Sequence, residues 1–396
     1  MSRRTSPFSR RTDWPRQTNR ITCVHEELKE QNIEIIDLTV SNPTRCGLAA
    51  PPEFLDALRD PAGLEYTADA HGLLCAREAV AGLFARRGLT VDPRDLFLTA
   101  STSEAYGFVF RLLADPGDTI LFPTPSYPLF HFLGEINDVE LGFYPLTYRD
   151  GWRIDMEGLV EALHPRVKAL VTVNPNNPTG SYLSEEERRH LNKIAAERGM
   201  ALISDEVFYE FPLGDAPGAS LAGNAPALTF TLGGLSKYLG LPQMKLAWIL
   251  VNGPEHLAAE ARQRLEIIAD TYLSVNTPVQ CALPAWLSQA DTVQAPILRR
   301  VRNNWEHLNR EAAGLRGTQV LRAEGGWYAV LRVAPVRNEE EWVLKLLSKY
   351  HVFVHPGFFY DFEDGPCLVV SLLVPPDDFR EGIGRVLSRV EQQSGS

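Results

Sequence analysis

Cysteine, long apolar runs and an excess of positive charge are all scarce in this 396-residue sequence. Its five cysteines are scattered and include no Cys-x-x-Cys pair. This argues against a disulfide framework or a zinc site and favours reduced thiols in the cytoplasm. No apolar run approaches the roughly 18 residues of a membrane span. The net charge of -11 argues against nucleic-acid binding by the chain as a whole. We therefore expect a cytoplasmic protein without a metal site that binds neither nucleic acid nor membrane.

The start of the chain has the opposite charge balance. Its first twenty residues contain six arginines and a single acid, Asp13. Arg-rich, acid-poor starts occur in organelle transit peptides, and that alternative stays open. Phe8 and Trp14 supply apolar anchors, which favours residues 1–20 as an ordered arm packed on the body or on a partner subunit.

Apolar strand-like segments alternate with helix-like segments from about residue 53 to residue 284. Ser184 with Glu187 three residues later predicts a capping box at the start of one helix. Apolar strands separated by helices imply a mainly parallel sheet buried on both faces. The sequence therefore predicts an α/β domain with strands near residues 95–99, 118–122, 167–174, 200–205, 227–232 and 246–251.

The C-terminal part has a different pattern. Residues 318–333 read as strands around Gly325-Gly326, residues 339–350 as a helix and residues 368–374 as another strand. This suits a smaller α+β domain that the N-terminal segment joins. We expect a large domain over residues 53–284 and a small domain built from residues 21–52 and 285–396.

Two ionisable residues stand at the ends of predicted strands. Asp205 ends the run 200–205, and Lys237 follows the run 229–235 by two residues. An unpaired charge in such a place is costly, so each is expected to meet a partner at the edge of the sheet. A lysine that forms a Schiff base and an aspartate that pairs with a pyridinium nitrogen are the two groups that pyridoxal phosphate most needs.

A third motif, Asn174-Pro175-Asn176-Asn177-Pro178-Thr179-Gly180, precedes both residues. Its prolines fix a turn that leaves a strand, and its glycine permits the exit. With these three features in this order, the chain resembles the class I/II aminotransferases of the fold type I pyridoxal phosphate enzymes. The resemblance covers nearly the whole chain and implies an aspartate aminotransferase-like fold: a large mostly parallel sheet sandwiched by helices, plus a smaller α+β domain.

The resemblance implies pyridoxal 5'-phosphate as the cofactor and a role for each matching residue. Lys237 would carry the cofactor as an aldimine and act as the general base, Asp205 would pair with the ring nitrogen, and Asn177 would face the phenolic oxygen. The other implied contacts are Tyr127 stacked on the ring, Ser101, Thr102, Ser103, Ser236 and Lys245 at the phosphate, and Tyr66 reaching the phosphate across a homodimer interface. On their own, residues 101–103 equally suit a plain helix cap, and Lys245 a solvated loop lysine.

The sequence departs from the family pattern around the cofactor. The family has tyrosine three residues after the aspartate, where this chain has Phe208 and then Tyr209. Either Asn177 serves the phenolic oxygen alone, or Tyr209 reaches in through a local distortion. Lys245 stands where the family has an arginine that grips the phosphate in a fork, and a lysine binds phosphate only as a point charge.

A further departure concerns the substrate. Val369 stands two residues before Ser371, where the family has the arginine that binds the substrate α-carboxylate. We expect Asn42 and Arg45, or else Arg332, to supply that contact, unless the substrate is held differently.

The expected function is transfer of an amino group from an amino acid to a 2-keto acid. One alternative is a pyridoxal phosphate-dependent β-lyase or eliminase, which uses the same residues, because fold alone does not separate these reactions. A non-catalytic ligand-binding protein on the same scaffold is the other alternative. The presence of Lys237, Asp205 and Asn177 argues against it.

Overall fold

The computed structural model describes residues 7–273 and 275–394 of the chain. Its larger sheet has eight strands in the order β2-β9-β8-β7-β6-β3-β4-β5. Every residue of β2, β7 and β8 is buried, which is the pattern of a sheet covered on both faces. The strands are β2 (Leu96–Thr99), β3 (Thr119–Thr124), β4 (Glu140–Tyr148), β5 (Trp152–Ile154), β6 (Val167–Val173), β7 (Ala201–Asp205), β8 (Thr229–Gly234) and β9 (Ala247–Asn252).

Helices cover this sheet and supply the apolar side chains that bury it. The capping box predicted at Ser184 and Glu187 is confirmed, with both reciprocal hydrogen bonds present. The helices of the chain are α1 (Arg20–Glu30), α2 (Leu74–Arg86), α3 (Thr102–Leu113), α4 (Leu129–Ile136), α5 (Met156–Ala162), α6 (Glu185–Arg198), α7 (Leu235–Tyr238), α8 (Glu255–Tyr272), α9 (Thr277–Ser288), α10 (Ala290–Ala312), α11 (Glu339–Tyr350) and α12 (Pro376–Ser394).

Strand direction places the predicted motifs at one edge of the sheet. Strands β3, β4, β6, β7 and β8 run parallel, and β9 runs antiparallel between β2 and β8. Ala247 at the start of β9 therefore pairs with Thr99 at the end of β2 and with Gly234 at the end of β8. The end of β7, Asp205, pairs with Val173 and Leu232. The loops after β2, β6, β7 and β8 and the loop before β9 thus meet at this edge.

A second, antiparallel sheet forms the smaller part of the fold. Its order is β10-β11-β14-β13, and a separate parallel pair joins β1 to β12. This pair links the N-terminal and C-terminal segments, and it supports the proposed small domain of residues 21–52 and 285–396 beside a large domain of residues 53–284. These strands are β1 (Ile36–Asp37), β10 (Thr318–Leu321), β11 (Tyr328–Val333), β12 (Val352–Phe353), β13 (His355–Pro356) and β14 (Cys367–Ser371).

The described part of the N-terminal arm lies against α4. Arg11 forms an ion pair of 3.0 Å with Asp138, just beyond the helix. The indole of Trp14 packs edge-on against Phe132 with ring centroids 5.3 Å apart, and its Nε1 donates to Glu135. Residues 1–6, which include two of the arginines counted above, lie outside the described residues. None of the described helices is both long and apolar enough to cross a membrane.

Candidate active site

Lys237 lies one turn beyond β8, in the short helix α7 that Gly234 begins. Its Nζ atom lies 5.3 Å from the ring centroid of Phe208 and 5.2 Å from that of Trp327. Burial lowers the pKa of Lys237 to about 8, against the opposing effect of Asp205. A neutral amine, the form that attacks carbonyl carbons, is therefore far more accessible here than on an exposed lysine.

Asp205 ends β7 with its side chain 8% exposed. Its Oδ2 accepts a hydrogen bond of 3.0 Å from the hydroxyl of Tyr106, and its Oδ1 accepts one of 3.1 Å from the backbone N–H of Val207. Burial raises the pKa of Asp205 to about 6, although both hydrogen bonds act in the opposite direction. A carboxylate held in this way is stabilised by a cationic partner that a ligand can bring.

Asn177 lies in the turn after β6, and the whole run from 171 to 180 is buried. Its Oδ1 is a buried atom without a hydrogen-bond partner. The turn interlocks with the chain before β11: Gly180 has φ +71°, and a Cβ on it would lie 2.6 Å from that of Ala323. The backbone N–H groups of Glu324 and Gly325 both donate to the Gly180 carbonyl. The turn is thus held rigidly by its contacts with the chain before β11, and it leaves one buried side-chain oxygen without a protein partner.

The residues predicted to hold a phosphate come together at this edge of the sheet. Ser101 is the N-cap of α3, and its hydroxyl accepts from the backbone N–H of Glu104 at 3.1 Å. Thr102 and Ser103 begin that helix, whose N-terminal N–H groups suit an anion. Ser236 precedes Lys237 in helix α7, just beyond β8. Lys245 lies two residues before β9, exposed and in the left-handed conformation with φ 52°.

Tyr209 does not take the place of the missing tyrosine at Phe208. Its hydroxyl donates to the carbonyl of Gly218 at 2.8 Å, and the Arg87 guanidinium lies 4.2 Å from its ring centroid. Phe208 is the residue that packs beside Lys237. The interpretation in which Tyr209 reaches the site is therefore wrong, because its hydroxyl is already bound elsewhere, and the one in which Asn177 serves alone remains.

Two predicted aromatic contacts remain solvent-accessible. Tyr127, after β3, is 43% exposed, and Tyr66 is 78% exposed. A ring that stacks on a ligand or reaches a partner subunit has this exposure in the isolated chain, so both roles stay predictions.

The candidate carboxylate contacts divide into two groups. Arg332 lies away from Lys237, with its guanidinium 5.6 Å from the Tyr148 ring centroid and its backbone paired in register with Cys367. Arg45 is exposed and follows Asn42, whose side chain caps the turn at Thr44. The neighbouring Ser41 binds Tyr328, so the Asn42–Arg45 segment borders the site.

Val369 is 1% exposed and belongs to an apolar core. It pairs in register with Val330 and His355. The buried apolar position agrees with the expectation that this residue binds no carboxylate.

Sequence reasoning missed three side chains of the site. Tyr106 holds Asp205 from helix α3, while Trp327 packs beside Lys237 and Tyr328 follows it. The pair Gly325-Gly326 directly precedes Trp327 and Tyr328. Such a glycine pair indicates a close approach of the backbone, and this signal could have pointed to the two aromatic residues. Nothing in the sequence marks Tyr106, because its partner is 99 residues away.

Comparison with known proteins agrees with this geometry. Residues 33–386 match the family described as Aminotransferase class I and II. The glutamate-pyruvate aminotransferase AlaA of Haemophilus influenzae is 30% identical over 349 residues, 84% of this chain and 86% of that protein. The tyrosine aminotransferase of Mus musculus is 28% identical over 394 residues, 94% and 85% of the two chains.

Solved structures show the same fold. An alanine aminotransferase from Pyrococcus furiosus superposes with a TM-score of 0.85 at 25% identity, covering 94% of this chain and 96% of that chain. A Thermus thermophilus aspartate aminotransferase mutant has a TM-score of 0.85 at 23% identity, covering 97% and 99%. The predicted fold class is thereby confirmed. The chain belongs to the class I and II aminotransferase family and is an aminotransferase.

Proposed function

We propose that this aminotransferase uses pyridoxal 5'-phosphate, bound covalently by Lys237, to move an amino group from an amino acid to a 2-keto acid. The observation that carries the proposal is the convergence of Lys237, Asp205 and Asn177 at one sheet edge. Lys237 offers an amine of lowered pKa, Asp205 a buried carboxylate, and Asn177 a buried side-chain amide whose NH2 group is the kind of donor that a phenolic oxygen accepts from. These groups fit the aldehyde, the ring nitrogen and the phenolic oxygen of that cofactor.

When bound, pyridoxal phosphate supplies an aldehyde carbon that condenses with amines and a ring that takes up the electron pair left by the substrate Cα proton. Lys237, with its amine free, would accept that proton at Nζ and act as the proton carrier of the reaction. Asp205 would hold the ring nitrogen in its protonated form. Phe208 and Trp327 keep water away from the Lys237 amine, which holds its pKa low. The amino acid would leave as its keto acid, and its amino group would pass to a second keto acid.

The test of this function is a half-reaction with one amino acid and no keto acid. The cofactor absorbance should pass to the pyridoxamine form with one keto acid released per subunit, and added 2-keto acid should restore the first spectrum. This stoichiometry is expected because the amino group stays on the cofactor. Continued release of pyruvate and ammonia from serine or cysteine would instead establish the β-lyase alternative.

We further propose that Lys245 binds the cofactor phosphate together with Ser101, Thr102, Ser103 and Ser236. Support comes from the strand register, which brings the loop before β9 level with the ends of β2 and β8. Lys245→Ala should weaken cofactor retention, whereas Lys245→Arg should preserve or tighten it through fork geometry. Cofactor dissociation during gel filtration measures both. Equal retention by the parent and the alanine variant would make Lys245 a solvated loop residue.

A homodimer with Tyr66 reaching across the interface is also proposed. Four large apolar side chains support it: Leu64 is 92% exposed, Tyr66 78%, Ile267 70% and Leu273 66%. Tyr66 and Leu273 also line one cleft. Large apolar side chains that are this exposed in the isolated chain are typical of a covered interface.

Tyr127 is proposed to stack on the cofactor ring, and Asn42 with Arg45 to contact the substrate carboxylate. The cytoplasmic location stays a prediction, supported by five free cysteines.

A further inference from the structure

Two hydrogen-bonded pairs of polar side chains lie beside the Lys237 site and are together called the hydroxyl wall here: Ser41 with Tyr328, and Tyr360 with His355. The Ser41 and Tyr328 hydroxyls are 2.6 Å apart, and the Tyr360 hydroxyl is 3.0 Å from Nδ1 of His355. The ring centroid of Tyr328 lies 6.3 Å from that of Phe208, which packs against the Lys237 amine. The wall therefore borders the space where a substrate bound at Lys237 would lie.

The hydroxyl wall has no fixed cation among the residues that the structure describes. Among the described residues no arginine or lysine donates a hydrogen bond to any of these four side chains, whose hydrogen bonds run within the two pairs. Burial raises the pKa of Tyr328 to about 12 and also raises the pKa of Tyr360. Burial lowers the pKa of His355 to about 4, so its ring is neutral at pH 7, and the one charged residue that acts on it is Asp37. The wall thus offers neutral donors and acceptors, with anionic Asp37 nearby.

This environment favours the binding of neutral substrate side chains over charged ones. A carboxylate on the wall would lose its water without gaining an ionic partner, which is costly. An amide or a hydroxyl there would exchange water for hydrogen bonds to Tyr328 and Ser41 at little cost. The exposed Arg45 can meet one carboxylate of the substrate, and the wall supplies no partner for a second.

We propose, resting on the function proposed above, that the hydroxyl wall selects amino acids with one carboxylate and a neutral, hydrogen-bonding side chain, and that Tyr328 and Ser41 contact that side chain. Dicarboxylic amino acids are poor donors for this enzyme. The wall is a specificity element and takes no part in proton transfer.

The experiment compares glutamine with glutamate, which are nearly equal in shape and differ in charge. In half-reactions of the cofactor-loaded enzyme, kcat/KM should favour glutamine by about 100-fold. Calorimetry with 2-methylglutamine and 2-methylglutamate, which lack the Cα proton, should give the same order in Kd without any turnover. Equal use of the two amino acids, or tighter binding of the dicarboxylate, would overturn the proposal.

Substitutions in the hydroxyl wall test whether the substrate preference arises from its side chains. Tyr328→Phe keeps the ring and should lower the glutamine-to-alanine preference by about 5- to 10-fold, mainly through KM. Ser41→Ala should act similarly, and the double variant should lose less than the sum because the two hydroxyls share one bond. Tyr148→Phe is the matched control, since that hydroxyl accepts from the backbone of Arg322 away from the site. An unchanged preference in folded Tyr328→Phe would refute the assignment.

The two proposals fail in different ways. If the loaded protein reacts with no amino acid, alanine included, the proposed function is wrong, and the calorimetric ratio still decides the selectivity. If alanine reacts but glutamate equals glutamine, only the selectivity is wrong.

Discussion

Replacing Lys237 with alanine is expected to lower the transamination rate by roughly 10⁴-fold or more, because the variant loses both the covalent attachment and the proton carrier at Cα. Single-turnover absorbance measurements with excess cofactor report this loss. A small external amine, such as methylamine, should restore part of the rate by carrying the proton in place of Nζ. Lys245→Ala, measured with the same excess cofactor, is the matched control and should retain most of the parent rate.

Borohydride reduction of the loaded parent locates the covalent bond independently. Peptide mapping should place the pyridoxyl group on Lys237. Labelling of Lys245, or of no lysine, would show that the site assignment is wrong.

The pH dependence of covalent loading follows from the lowered pKa of Lys237. Only the neutral amine attacks an aldehyde, so loading of the cofactor-free protein should accelerate as pH rises and level off above about 8. An ordinary exposed lysine would level off above about 10.4. A plateau near that higher value would mean that burial between Phe208 and Trp327 does not lower the pKa of the Lys237 amine.

Removal of the Asp205 charge should have the second-largest effect. Asp205→Ala is expected to lower turnover by roughly 10³-fold or more while the fold persists, because the ring nitrogen loses the partner that keeps it protonated. Asp205→Asn, which preserves shape and removes only charge, should lose nearly as much. Turnover within about tenfold of the parent, a difference of about 1.4 kcal/mol, would reduce Asp205 to a cap for Val207.

The cofactor-free protein offers a second measurement on Asp205. Its folded-state pKa of about 6 lies above the ordinary aspartate pKa of about 3.9. Protonation therefore favours the folded state, and this contribution is present at low pH and lost as pH rises through about 6. The Tm of Asp205→Asn relative to the parent should accordingly increase between pH 4 and pH 7. A Tm difference independent of pH would contradict the raised pKa.

Local sequence predicted six of the eight strands of the large sheet, because each of those six is an apolar run ended by a turn or helix signal. Strands β4 and β5 were not predicted, and only two of the nine residues of β4 are buried. The sequence placed Asp205 at the end of β7, and the structure has it there. Helix α11 has the predicted bounds, Glu339–Tyr350, since Asn338 caps it through the N–H of Glu341. Strand ends were displaced by one to three residues, as at β8, because hydrogen bonding to β9 extends it through Gly234.

The side chains that surround the substrate could not be predicted in the same way. The contact between Ser41 and Tyr328 joins residues 287 positions apart. Tyr106 reaches Asp205 from a helix that sequence reasoning assigned to phosphate binding, and Tyr209 turns toward Gly218. The direction of a side chain at a loop or helix depends on the elements packed around it, and no local pattern records them.

The sequence by itself determined where three candidate groups for the chemistry lie: a lysine, an aspartate and an asparagine, each at the end of an apolar strand or a few residues beyond it. Those placements are local, since strand period and turn residues act over a few positions. Only the tertiary structure decided what surrounds them, namely the burial that shifts the pKa values of Lys237 and Asp205 and the neutral wall beside them. The burial of a side chain and the charges around it both depend on residues that are distant in sequence. These residues come together only once the two sheets have packed against each other.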